Sequence, residues 1–125
     1  MNDNAKAWVA ALRSGEYAQG EGALKDDDDR YCCLGVACEV YRASGKRLGL
    51  KKYHGEEGYN WYYHLGRDAS DTQLPECVRK WLGVATTDGD FGDSTLIDEN
   101  DNGMPFAEIA DIIESLPSGL FVEDA

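Results

Sequence analysis

The apolar residues near the start of the chain repeat at helical spacing. Four of them recur at i, i+3, i+4 and i+7, the pattern of one buried helix face: Ala5, Trp8, Val9 and Leu12. Asp3 precedes them as a candidate N-cap, and Ser14-Gly15 follows them as a stop signal. The pattern predicts an amphipathic helix from Met1 to Leu12.

The run YCCLGVACEVY, residues 31–41, is apolar on two adjoining helical stripes. A helix that is apolar over most of its circumference lies at the centre of a domain, so we expect a central helix here. Gly35 costs about 1 kcal/mol relative to Ala inside a helix, and it is tolerated where another element crosses closely. A buried strand is the alternative, because short apolar runs fit both structures.

Residues 46–65 have the features of a β-hairpin. Apolar residues alternate loosely with cations up to Tyr53, a glycine-bounded turn follows at 54–58, and aromatic residues come after it. Residues 16–30, with the acidic run from Asp26 to Asp29, are interpreted as a solvated loop.

Two further helices are predicted in the second half of the chain. Leu74-Pro75 opens a short one that Gly83 closes. After an acidic, glycine-rich connection at 84–104, the last helix runs from about Pro105 to Leu116. Its predicted inward residues are Phe106, Ile109, Ile112, Ile113 and Leu116. The predicted fold class is therefore α+β, mainly short helices packed around a central apolar helix with a small β-hairpin, in a single compact acidic domain over 1–125.

The charge of the chain is strongly negative and unevenly distributed. It has 24 acidic and 12 basic residues, a net charge of −12. Eleven acids and no Lys or Arg follow Lys80, whereas five cations and no acid lie between Arg42 and Lys52. A field of this sign repels nucleic acid and anionic membranes and attracts basic surfaces. We therefore expect a basic protein surface as partner, with neither direct nucleic-acid binding nor membrane binding.

The cellular location follows from what the sequence lacks. No apolar run approaches the roughly 18 residues of a membrane span, and the N-terminus does not resemble a signal peptide. We expect a cytoplasmic protein whose four cysteines stay as thiols.

The run DENDNG, from Asp98 to Gly103, matches the first half of an EF-hand calcium loop. The second half does not match, because Ile109 stands where the bidentate Glu belongs and Pro105 interrupts the loop. A turn followed by a helix start explains the same residues, so no metal or other cofactor is assigned.

Cys32 and Cys33 are candidate nucleophiles for a cysteine-dependent hydrolase. At the start of a helix the dipole lowers a thiol pKa, and His54 or His64 would serve as the base. The orienting group would be Asn100 or Asp101. The alternative is that the cysteines are small buried hydrophobes, and no residue is assigned as catalytic.

The segment 59–63 is a candidate binding site for a small molecule or nucleotide. Tyr59, Trp61, Tyr62 and Tyr63, with nearby Lys51 and Lys52, would stack a base and neutralise phosphates. The alternative is that alternate residues of this strand simply pack on the core.

The acidic second half supplies the contact residues of the preferred hypothesis. This is a small non-enzymatic binding protein that engages, and inhibits, a basic host protein surface. Its predicted binding residues are Asp93, Asp98, Asp101, Glu108, Asp111 and Glu114. The alternative is an ordinary solvated face. The oligomeric state is not predicted.

Four motifs resemble a family of short bacterial and phage proteins without an established activity: ALRSGEYAQGEGAL, YCCLGVACEVY, LPECVRKWLG and NDNGMPFAEIADIIE. The resemblance covers most of the chain except roughly residues 42–73 and 84–95. It implies a compact cytosolic domain, phage-encoded in some members, and it transfers no catalytic residue.

Overall fold

A computed structural model describes residues 1–55 and 58–122, with only the backbone of 58 and 59. Helix α1 spans Asp3–Arg13 and buries the four predicted residues. Its N-cap is Asn2 rather than Asp3, because the Asn2 Oδ1 atom accepts a 2.8 Å hydrogen bond from the Ala5 amide. Asp3 instead occupies the first turn, where its charge complements the helix dipole.

Two short strands, β1 (Ala18–Gln19) and β2 (Arg30–Tyr31), pair in parallel within the predicted loop. Helix α2 follows at Cys33–Ala43, so this run is a helix and not a strand. The predicted close crossing at Gly35 is confirmed, because a Cβ atom there would stand 1.8 Å from the Leu24 carbonyl oxygen. Helix α2 contacts α1, and its place at the centre of the core stays a prediction.

The predicted hairpin is confirmed and carries a third strand that the sequence did not reveal. Strands β3 (Gly49–Gly55), β4 (Gly58–Leu65) and β5 (Asp68–Ser70) form one antiparallel sheet in that order. Leu50, Trp61 and Tyr63 point to its inner face, where Tyr63 is fully buried. The tip residues 56 and 57 lie outside the described residues.

Helix α3 spans Glu76–Leu82, and Gly83 ends it at a φ of 78° as predicted. Pro75 precedes the helix instead of forming its first residue. The cap comes from the sheet: the Asp68 carboxylate accepts hydrogen bonds from the amides of Glu76 (2.9 Å) and Cys77 (3.0 Å).

The predicted connection at 84–104 contains regular structure. Strands β6 (Asp90–Phe91) and β7 (Ser94–Thr95) form a hairpin, and helix α4 spans Leu96–Asp101. Helix α5 spans Phe106–Glu114. The inward placement of Leu116 is wrong: its φ is 52° and 54% of it is exposed, because the helix has already ended.

One hydrophobic cluster draws on all five helices. Leu120 belongs to it, and Val84 and Phe121 form an isolated bridge that returns the end of the described chain to the core. Helices and small sheets together confirm the α+β class. Among the described residues, none of the helices has the length and apolar character to cross a membrane.

Candidate functional site

Helix α4 presents two of the predicted acidic contact residues on one face. Thr95 begins the helix, since its Oγ1 atom accepts a 2.9 Å hydrogen bond from the Asp98 amide. Asp98 and Asp101, three residues apart, therefore lie on the same side, and both are exposed. The Asp101 Oδ1 atom also accepts a hydrogen bond from the Gly22 amide at 2.9 Å, which ties the helix to the loop after β1.

Helix α5 presents the other acidic stripe. Its apolar face is buried through Phe106, Ile109, Ala110 and Ile113. Burial of that face leaves the opposite stripe in solvent, and the three predicted contact residues are exposed there: Glu108, Asp111 and Glu114. The sequence periodicity therefore placed these three side chains correctly.

Arg13 of α1 occupies part of this stripe. Its Nη2 atom lies 2.7 Å from Asp111 Oδ1 and 2.9 Å from Glu114 Oε1. The hydrogen bonds to Asp111 and then to Glu114 raise the pKa of Arg13 above its ordinary value. Two of the six predicted contact residues are thus already paired with an arginine of the same chain, which the sequence did not indicate.

The remaining four carboxylates are not neutralised in this way. Asp93 lies in the turn between β6 and β7 and is exposed. Within residues 1–55 and 58–122, none of the ion pairs involves Asp93, Asp98, Asp101 or Glu108. These four, here called the open carboxylates, lie in a stretch that contains no Lys or Arg.

The calcium-like run has a different structural role. Asn100, a ligand position in the EF-hand comparison, is fully buried. Its Oδ1 atom accepts hydrogen bonds from the Cys33 amide (3.1 Å) and Gln19 Nε2 (3.0 Å), and its Nδ2 atom donates to the Gly20 carbonyl at 2.8 Å. The turn interpretation is right, because Gly103 has a φ of 91°. No cluster of three potential metal-ligating side chains occurs in the part of the chain that the structure describes.

The proposed nucleophiles are buried. Cys33 is fully enclosed and Cys32 is 3% exposed. Cys32 is the N-cap of α2, and its sulfur accepts a hydrogen bond from the Gly35 amide. Burial nevertheless raises the pKa of Cys32 to about 11 and that of Cys33 well above its ordinary value. The expectation of a lowered thiol pKa was therefore wrong, since loss of solvation outweighs the backbone hydrogen bonds that lower it.

The side chains of the aromatic segment point alternately to the two faces of the sheet. Trp61 and Tyr63 point inward, whereas Tyr62 points to the outer face beside Tyr53 and His64. The side chain of Tyr59 lies outside the described residues. Part of the segment therefore packs on the core, as the alternative interpretation predicted, and it does not form one continuous patch.

A buried lysine lies under the inner face of the sheet. Lys25 is 5% exposed, and its Nζ atom lies 4.8 Å from the ring centre of Trp61 and 5.2 Å from that of Tyr31. Asp29 Oδ1 contacts the same Nζ at 2.6 Å. Burial lowers the pKa of Lys25, but the hydrogen bond to Asp29 and nearby negative charges outweigh it and leave this pKa raised. The sequence analysis did not predict this arrangement.

The loop at 26–29 is held against the sheet by a second pair. Asp27 Oδ1 lies 2.9 Å from Lys52 Nζ, and that ammonium lies 5.7 Å from the Trp61 ring centre. The hydrogen bond from Lys52 lowers the pKa of Asp27. The acidic run is thus solvated, as predicted, and also ordered by two lysines that flank one indole ring.

Comparison with known proteins gives a family. The family model described as "Domain of unknown function (DUF8296)" matches residues 1–116. The chain belongs to that family, which confirms the expected membership of a family without an assigned activity. Neither a curated protein nor a solved structure matches the chain.

Proposed function

We propose that this protein is a small non-enzymatic binding protein of the cytoplasm that engages a basic surface of another protein and inhibits it. The observation that supports this is the group of open carboxylates, four exposed acids without an ion pair in the described structure, in a stretch free of Lys and Arg. A phage origin, which the resemblance implies, is part of the same proposal.

The open carboxylates are held by the backbone around them. Asp98 lies in the first turn of α4, next to the Thr95 cap, and Asp101 is fixed by the Gly22 amide. A positioned charge loses less conformational entropy on binding than one on a free loop. Complementary charge also accelerates encounter with a basic partner and disfavours acidic ones.

Asp111 and Glu114 would contribute less than the open carboxylates. Arg13 already contacts both of them, so a basic partner has to compete with the Arg13 guanidinium. The open carboxylates Asp93, Asp98, Asp101 and Glu108 are therefore expected to contribute most of the proposed interaction. This ranking refines the six-residue site that the sequence suggested.

The buried thiols favour this proposal over a cysteine hydrolase. A nucleophilic thiolate requires a lowered pKa and access to substrate. Cys32 and Cys33 have raised pKa values and are enclosed in the core.

The test compares two triple variants that change the net charge equally. D98N/D101N/E108Q neutralises three of the open carboxylates, and its Asn at 101 keeps an acceptor for the Gly22 amide. D3N/E16Q/D28N neutralises three exposed acids elsewhere. Partners captured from a bacterial lysate would be purified, and their affinity for each variant measured by calorimetry at two salt concentrations.

We expect the first variant to lose about tenfold or more in affinity, the control to lose little, and salt to weaken wild-type binding because exposed charges are screened. Salt-independent binding, or equal losses in both variants, would contradict the proposal.

A further inference from the structure

Aromatic rings form a row on the outer face of the three-stranded sheet. Strand register places Tyr53, Tyr62 and His64 on this face. The ring centres of Tyr53 and Tyr62 are 5.6 Å apart, as are those of Tyr62 and His64. None of the three is buried. Of the aromatic residues in the predicted site, Tyr62 belongs to this ring row, whereas Tyr53 and His64 were not part of that prediction.

A cleft of about 580 Å³ opens at one end of the ring row, lined by Arg47, Gly49, His64, Leu65 and Gly66. The His64 ring covers Gly49, since a Cβ atom on that residue would stand 2.3 Å from both Cε1 and Nε2 of the imidazole. The absence of a side chain at 49 therefore lets the imidazole form one wall. The volume falls within the roughly 300–1,000 Å³ typical of small-ligand sites.

The charges around the ring row are asymmetric. Arg47 and Lys51 are exposed, and no ion pair reaches either of them among the described residues. Lys51 is paired with Tyr62 in the strand register. At the opposite end, Asp71 Oδ2 accepts a 2.6 Å hydrogen bond from the Tyr53 hydroxyl. The face is thus cationic near the cleft and anionic near Asp71.

We propose that this outer face binds a nucleotide, with its base stacked on the ring row and its phosphate paired with Arg47 and Lys51. Every nucleobase has a planar face that stacks on an aromatic side chain, and a guanidinium matches a phosphate in geometry and charge. Asp71 repels phosphate and accepts hydrogen bonds from base amino groups, so the charge asymmetry sets the orientation of the ligand.

The dimensions and the net charge favour a single nucleotide over a nucleic-acid strand. Gly49 and Tyr53 are four residues apart on one strand, about 13 Å at the usual rise, which matches one nucleotide. A long polyanion would also meet the field of a chain with a net charge of −12. A small ligand stays close to Arg47 and Lys51, whose charges dominate within a Debye length of roughly 8–10 Å.

The first experiment titrates the full chain with AMP, adenosine and inorganic phosphate, followed by calorimetry and by NMR shifts. We expect AMP to bind at least tenfold more tightly than adenosine or phosphate, with shifts centred on the ring row and on the amides of Gly49 and Gly66. No binding of AMP, GMP, CMP or UMP at millimolar concentration would overturn the proposal. Shifts centred on α4 and α5, or binding of an oligonucleotide but of no mononucleotide, would also overturn it.

The second experiment uses three variants. Tyr62→Leu keeps an apolar strand residue but removes the ring, and Arg47→Ala removes an exposed charge before β3. Each should weaken AMP binding about tenfold, the scale on which loss of a stacking partner acts. Lys80→Ala, an equal charge change on α3, should keep the affinity within about twofold. Equal losses of AMP affinity in Arg47→Ala and Lys80→Ala would show that binding depends only on net charge, and they would contradict a specific site.

This inference does not depend on the proposed acidic interface. The two surfaces share no residue, and neither set of variants alters the other surface. A failure of nucleotide binding therefore leaves the protein-binding proposal intact, and the reverse also holds.

Discussion

The ammonium group of Lys25 lies 4.8 Å from the centre of the Trp61 ring. The two residues are 36 positions apart, and their contact joins the acidic loop to the inner face of the sheet. Asp29 contacts the same ammonium at 2.6 Å while its own side chain is 86% exposed. The lysine is therefore desolvated by aromatic rings on one side and satisfied by a solvated carboxylate on the other.

We expect Lys25→Met to destabilise the fold while keeping the bulk of the side-chain stem. Loss of a largely desolvated cation–π contact costs about 1–2 kcal/mol. The penalty should stay below that of breaking a fully buried ion pair, because Asp29 is left in water and not in the core. Urea denaturation measures the change. Lys80→Met, at an exposed position on α3, is the matched control, and an equal effect of both substitutions would show that the Trp61 contact contributes nothing.

Asn100→Ala should be among the more damaging substitutions in the chain. It leaves the Cys33 amide and the Gly20 carbonyl without their Asn100 partner, whereas Gln19 Nε2 loses one acceptor and keeps the Met104 carbonyl. Buried polar groups that lose a partner cost about 1–3 kcal/mol each, and water entry reduces the sum, so we expect about 3 kcal/mol in chemical denaturation. Asn102→Ala, an exposed neighbour, should change stability little. A small effect at 100 would show that its hydrogen bonds are replaced at no cost.

Stability should fall in alkaline solution, and the core thiols are one cause. Burial raises the pKa of Cys33 and of Cys38 well above 9.0, and that of Cys32 to about 11. Above about pH 9 the unfolded chain loses these protons while the folded chain keeps them. The free energy of unfolding is therefore fully maintained below pH 9 and declines as the pH rises, by up to about 1.4 kcal/mol per pH unit for each thiol.

Urea denaturation under reducing conditions between pH 8 and pH 10.5 measures this slope. Cys38→Ala should make it shallower, whatever its effect on stability at neutral pH. A slope that stays the same in Cys38→Ala would show that the Cys38 thiol does not titrate differently in the folded and unfolded chains. Burial also raises the pKa of Tyr63. Above pH 10 this residue therefore adds the same further decline in the free energy of unfolding to the wild type and to Cys38→Ala.

Sequence periodicity was sufficient to predict which residues are buried in a helix that packs through one apolar face. The apolar positions of α1 and most of those of α5 were read correctly, because helical repeats depend only on nearby residues. The exposure of Glu108, Asp111 and Glu114 followed from the same repeat. The predicted inward placement of Leu116 was wrong because this residue lies beyond the end of the helix. The helical repeat therefore no longer sets the direction of its side chain, although the residue fits the apolar pattern.

Contacts between distant segments could not be read in this way. Nothing in the sequence around Asn100 indicates that its amide would be enclosed by residues 19, 20 and 33, and its acidic neighbours suggested a metal loop instead. The third strand, β5, has only three residues, which is too short for alternation to show. The pairing of Arg13 with α5 likewise depends on how two helices pack.

The link between Asp68 and α3 has a consequence for how the molecule unfolds. The acceptor for the first amides of α3 belongs to β5, so detachment of that short strand exposes helical amides that lie eight and nine positions further along the chain. We therefore expect hydrogen exchange in the first turn of α3 and in β5 to rise and fall together. A shortened chain without residues 68–70 would keep every residue of α3 and still fray at its beginning.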